Sequence, residues 1–157
     1  MLSARLYTMS APLSDRARVM LALWICFACV AIALPGHAGE KGGVDAARAV
    51  IADQIAAFRQ DDSAAAYAHA SPKVKRVFPT PAIFMQMVRQ GYPAVYRPNH
   101  CSFDAAKWQD DGRLLQPVRI EWGGGDPLIA VYILAQQPDG LWKIDGVIMA
   151  RDDRIAA

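Results

Sequence analysis

Gln116 stands where a polar side chain is least expected, in phase with Leu114, Val118, Ile120 and Trp122 along an alternating apolar segment. That phase turns an amide with donors and acceptors towards a core, where it must find partners. It can orient a ligand inside an apolar pocket, or it can pin a loop or helix end by hydrogen bonding. Tyr92, Tyr96 and Arg97 share the proline-bounded stretch Tyr92-Pro93-Ala94-Val95-Tyr96-Arg97-Pro98. A stiff connector of this kind can present two phenols and a guanidinium to a carboxylated ligand or a partner protein. It can equally pack on the domain through its rings, with Arg97 paired to an acid. Tyr132 completes the set of candidate ligand-binding residues, Tyr92, Tyr96, Arg97, Gln116 and Tyr132, although its apolar strand also fits a core position.

Catalytic and metal-binding patterns are weaker. A carboxylate base working beside a strong hydrogen-bond donor in an apolar cavity would serve an isomerase, and Asp104 and Asp145 are the formal candidates. Both alternate with apolar neighbours and are expected to face solvent. His69 and His100 fall in different elements without the acidic or cysteine spacing of a metal site. His100 and Cys101 are adjacent on an expected strand, so they point to opposite faces and form no nucleophile pair. Lys73, Lys75 and Arg76 read as a solvated helix face. Gly123-Gly124-Gly125 joins strands and opens no helix, so it is no phosphate cradle. No catalytic residue, metal site or cofactor is assigned.

The elements that carry these residues follow two periods. Val44, Ala47, Ile51, Ile55 and Phe58 recur at steps of three and four, one buried helix face with Asp45 as its cap. Asp61-Asp62-Ser63 breaks that pattern and caps an alanine-rich helix over 64–70. Ser71-Pro72 and Thr80-Pro81 each set a capping hydroxyl before a proline, the favoured order at a helix start. The first opens a turn with Val74, Val77 and Phe78 on one face. The second opens a helix with Ile83, Phe84, Met87 and Val88 inward, ended by Gly91, and with Met85 left on another face.

After Pro98 the period becomes two. Cys101, Phe103 and Ala105 alternate with Ser102 and Asp104, followed by the turn Asp110-Asp111-Gly112; the segments 114–122, 128–135 and 141–150 follow, with Gly146 marking a bulge or bend. The segment 128–135 is apolar on both faces, as in a covered central strand. The expected architecture is α+β: N-terminal helices packed on a bent, four-stranded antiparallel sheet.

Ahead of these elements, the uncharged apolar run 19–34 follows Arg16 and Arg18 and is closed by Pro35-Gly36-His37-Ala38. A positive segment, a short apolar core and small residues before a cut describe a secretory signal peptide, and the run is short for a spanning helix. A start at Met9 would keep both arginines ahead of the core. The expected organisation is a signal peptide over 1–38 with cleavage after Ala38, a linker over 39–44, one domain over 45–150 and a frayed tail over 151–157. Localisation is then periplasmic or secreted. Cleavage removes Cys26 and Cys29, leaving Cys101 without an intramolecular disulfide partner and best read as a buried, inert thiol. It also leaves acids and bases in equal number, which removes the charge that nucleic acid or an anionic membrane would need.

The tract Ala70-Ser71-Pro72, Phe78-Pro79-Thr80-Pro81, Phe84-Met85-Gln86-Met87-Val88-Arg89, Gly91-Tyr92-Pro93, Tyr96-Arg97-Pro98, Gln116-Pro117-Val118 and Asp139-Gly140-Leu141-Trp142-Lys143-Ile144 resembles the bacterial family catalogued as domain of unknown function 4864, over residues 46–150. The helices-then-sheet order and the closing Asp-Gly-x-Trp-x-Ile strand also resemble the nuclear transport factor 2-like superfamily. That resemblance implies a cone-shaped fold in which a bent sheet wraps helices around a pocket. Its members include isomerases, dehydratases and proteins with only binding or assembly roles, so fold alone does not choose a function. The expectation is a non-catalytic module for assembly or for binding a small apolar or carboxylated ligand, with a homodimer through the open sheet face as a further expectation. The alternative is a cofactor-independent isomerase or dehydratase using a pocket between helices and sheet.

Overall fold

Five helices precede five strands in the computed structural model, which describes residues 38–151. The helices are α1 (Ala38–Arg59), α2 (Ser63–Ala68), α3 (Pro72–Val77), α4 (Pro81–Gly91) and α5 (Pro93–Tyr96). The strands are β1 (His100–Phe103), β2 (Lys107–Trp108), β3 (Leu114–Glu121), β4 (Leu128–Gln136) and β5 (Trp142–Arg151). The expected signal peptide lies outside the described residues apart from Ala38. Residues 39–44, expected as a linker, belong to the first turns of α1, and Asp45 sits inside that helix instead of capping it.

Local chemistry sets the other helix starts. Asp62 caps α2 through a bond from Ala65 N–H, Ser71 caps α3 through Val74 N–H, and Thr80 caps α4 through Ile83 N–H. Proline follows the last two caps at a position that needs no donor. The α4 stripe differs by one residue from the expected one. Phe84, Met85 and Val88 are buried, whereas Ile83 is 45% exposed and Met87 is half-buried.

The sheet is antiparallel, in the order β1-β3-β4-β5, with the two-residue β2 also pairing with β3. It therefore has five strands where four were expected. β1 and β2 lie along one side of β3, interrupted at residues 104–106, where Asp104 N–H still donates to Pro117 O but the Asp104 carbonyl accepts from the Gln116 and Arg48 side chains. Trp122, expected to continue the inward row of β3, lies past the end of the strand and is 41% exposed.

A register shift opposite Ile133 and Leu134 gives β5 one extra residue: Gly146 faces Ile133 and Ile144 faces Leu134, leaving Asp145 between. Such a bulge reverses the pleat. Trp142 and Ile144 are buried before it, and Val147 and Met149 pack on the core after it, while Ile148 is exposed. The core unites Ile51, Ile55 and Phe58 of α1 with Phe84 and Val88 of α4, Leu114, Val118 and Ile120 of β3, and Tyr132 and Leu134 of β4. A backbone bridge between Ala70 and Ile144 joins the two halves, with Ser71 N–H donating to Ile144 O at 2.9 Å and Ile144 N–H to His69 O at 2.9 Å.

Candidate functional site: an apolar cavity against the bulged strand

Four helices and a bulged strand leave a cavity of about 250 Å³. α1 contributes Gln54 and Phe58; α3 contributes Lys73, Val74 and Val77; α4 contributes Phe84, Met87 and Val88. Tyr92 and Val95 close one side, Ala70 and Phe78 another, and residues 144–147 of β5 the last. The exposed Lys73 and Val77 mark its open side. Its rings are mutually braced. Phe84 lies 6.1 Å from Phe58, 5.6 Å from Tyr67 and 6.4 Å from Phe78 between centroids, distances at which aromatic pairs attract. Tyr67 Oη also donates to Phe78 O at 2.6 Å, which fixes the connector between α3 and α4.

Local sequence explains why the wall stands where it does. Ser71 is buried, caps α3 and bonds to β5 through its backbone N–H, so α3 is anchored at its first residue beside the strand. The bulge at Asp145 and Gly146 turns that part of β5 towards the cavity, and Asp145 is half-buried in the lining instead of facing solvent. Lys73 and Asp145 give the lining one charge of each sign. Tyr92 Oη reaches Val147 O at 3.5 Å, the outer limit of a hydrogen bond.

The five sequence candidates do not meet at this cavity. Only Tyr92 lines it. Tyr96 and Arg97 belong to a surface cluster around Asp61: Arg97 pairs with one carboxylate oxygen at 2.6 Å, Arg89 with the other at 2.9 Å, and Tyr96 Oη donates to Asp61 as well. Arg89 and Arg97 also stack over the Tyr96 ring, at 5.2 and 5.1 Å. This is the packed arrangement, with Arg97 paired to an acid.

Gln116 is fully buried and its amide is spent within the protein. Arg48 Nε donates to its Oε1 at 2.9 Å, and its Nε2 donates to Asp104 O at 2.8 Å and Pro117 O at 2.7 Å. Arg48 Nη2 reaches the same Asp104 carbonyl at 2.9 Å. The group pins the chain where it leaves β1. Asp104, expected to face solvent, is half-buried and paired with Arg119 at 3.6 Å.

Tyr132 is fully buried in the core, and its Oη has no partner among the described residues. Burial pushes its phenol far above the ordinary value of 10.0. Cys101 is half-buried, and burial raises its thiol above 9.0, against a smaller opposing effect of Arg59. The described residues hold no cluster of three His, Cys, Asp or Glu side chains able to bind a metal, and none of their helices is long and apolar enough to cross a membrane.

Gln54 is the cavity residue that the sequence reading passed over. It lies three residues after Ile51 and four before Phe58, a polar side chain within the apolar stripe of α1, and it is 2% exposed. Its spacing carried the signal: the amide shares a helix face with residues that must be buried.

The chain matches the family model described as Domain of unknown function (DUF4864) over residues 43–157, and it belongs to that family. No curated protein and no solved structure matches it.

Proposed function

We propose that this DUF4864 protein is a non-catalytic binding module that takes a small, mainly apolar molecule into the cavity between its helices and β5. The observation that carries this reading is the lining: aromatic and aliphatic side chains from α1, α3, α4 and β5 surround the space, with few polar groups among them. Small-molecule sites have that composition, although typical ones are somewhat larger, about 300–1,000 Å³. The two opposite charges of the lining give no net preference for a carboxylated ligand over a neutral one.

The test is native mass spectrometry of the chain purified without harsh washing, followed by calorimetric titration of any released molecule. Val74→Phe, which fills the cavity from α3, is expected to abolish the adduct and weaken the titrated affinity at least about tenfold, equivalent to about 1.4 kcal/mol. A wild-type chain that carries no adduct and takes up no small apolar probe overturns the reading.

Asp145 and Tyr92 share the lining, and this supports the second reading, a cofactor-independent isomerase or dehydratase. A cavity ligand altered chemically by the wild-type chain but not by Asp145→Asn would establish it. Two finer assignments belong to the same proposal. The helices-then-antiparallel-sheet order with a cavity between supports a nuclear transport factor 2-like relationship. The apolar run 19–34 after Arg16 and Arg18 supports export, which N-terminal sequencing of the protein from its host checks.

A further inference from the structure

Gln54 gives the cavity a chemical preference beyond apolarity. Its Nε2 donates to Ala66 O at 3.2 Å, near the end of α2, where helical carbonyls lack intrahelical partners. That bond fixes which end of the amide is nitrogen. Oε1 accepts no hydrogen bond from the described residues, yet Tyr132 Oη is the only sealed, unpartnered side-chain nitrogen or oxygen among them. The Gln54 carbonyl oxygen is therefore unpaired among the described residues and not sealed off, and its residue lines the cavity.

Resting on the binding reading above, we infer that the occupant carries a hydrogen-bond donor, a hydroxyl or an N–H, on its apolar body, and that Gln54 Oε1 receives it. A carbonyl in an apolar cavity loses its hydration when a ligand without a donor enters, and nothing replaces the lost bonds. A ligand with a donor restores one. The discrimination comes from the penalty against the wrong ligand, the usual basis of polar specificity in apolar sites. Lys73 cannot supply the missing bond internally without drawing its ammonium from the exposed mouth into the apolar interior.

The experiment uses matched probes on the purified full chain: indole against benzofuran, and phenol against toluene. Each pair has nearly one shape, and only the first member donates. Calorimetry is expected to show the donor bound at least about tenfold more tightly in both pairs. Gln54→Met, which keeps length and removes the carbonyl, is expected to bring each ratio close to unity, chiefly by raising the affinity for benzofuran and toluene, which then strand no carbonyl.

Equal affinities in the wild-type chain overturn the inference without touching the binding reading, because apolar probes still bind. So does a ratio that survives in Gln54→Met. Should that variant not fold, the wild-type ratios and the Val74→Phe chain still decide: the preference must be present in the first and vanish together with binding in the second. Failure of all four probes to bind sinks the binding reading and this inference together.

Discussion

A half-buried guanidinium and an exposed one do different work in this protein. Arg48 satisfies Gln116 Oε1 and the Asp104 carbonyl, and its guanidinium lies 5.6 Å from the Phe103 ring centroid. Removing it leaves a fully buried amide oxygen without a donor, so Arg48→Ala is expected to cost about 1–3 kcal/mol in urea denaturation. Arg97→Ala breaks an exposed pair with Asp61 that Arg89 also serves, and its cost is expected to stay below about 1 kcal/mol.

His69 supplies the pH dependence at this scale. Burial is the main cause that lowers its pKa below the ordinary 6.5; Lys143 and Lys75 act in the same direction, and Asp53 opposes them. The unfolded chain therefore binds a proton that the folded chain resists. The contribution to stability is complete above 6.5 and is lost as pH falls through the lower folded value. The urea midpoint is expected to drop between pH 7.5 and 5.5, and to drop less in His69→Gln. An equal drop in both chains would exclude the imidazole as the source.

Among the elements, α3 is the one whose start matters most to the cavity. Ser71 caps it, bonds to β5 and is buried, so Ser71→Ala is expected to cost about 1 kcal/mol. The same substitution should weaken probe binding, since Lys73, Val74 and Val77 stand on this short helix. Thr80→Ala removes a similar cap from α4 at an exposed position and serves as the comparison by thermal melting and titration.

These starts were legible in the sequence because a cap is written in neighbouring residues: Ser71-Pro72 and Thr80-Pro81 need no distant partner to act. Gly146 likewise signalled the bulge. The phase of α4 was not legible. Ile83 and Met85 are both apolar, and the choice between them depends on which side the rest of the fold covers. Nor was the end of β3, because Trp122 extends the alternation beyond the residues that actually pair.

For the molecule as a whole, the change from period 3.6 to period two sufficed to place helices first and an antiparallel sheet second. The site was harder to see. A cavity is the volume that segments distant in sequence fail to fill, and no local pattern records it. Gln116 and Gln54 are both polar residues in apolar stripes, yet one is spent on Arg48 and backbone carbonyls while the other keeps a free oxygen. The difference lies in partners contributed by other elements.

The backbone bridge at Ala70 has a consequence for solubility. β5 is the outer strand on its side of the sheet, and an outer strand offers unpaired amides and carbonyls that invite another chain to add to it. At Ile144 both groups are already taken, one by His69 and one by Ser71. The segment that anchors the cavity wall thus also plugs the sheet at that point, so loosening it would expose a template for intermolecular strand addition as well as opening the cavity.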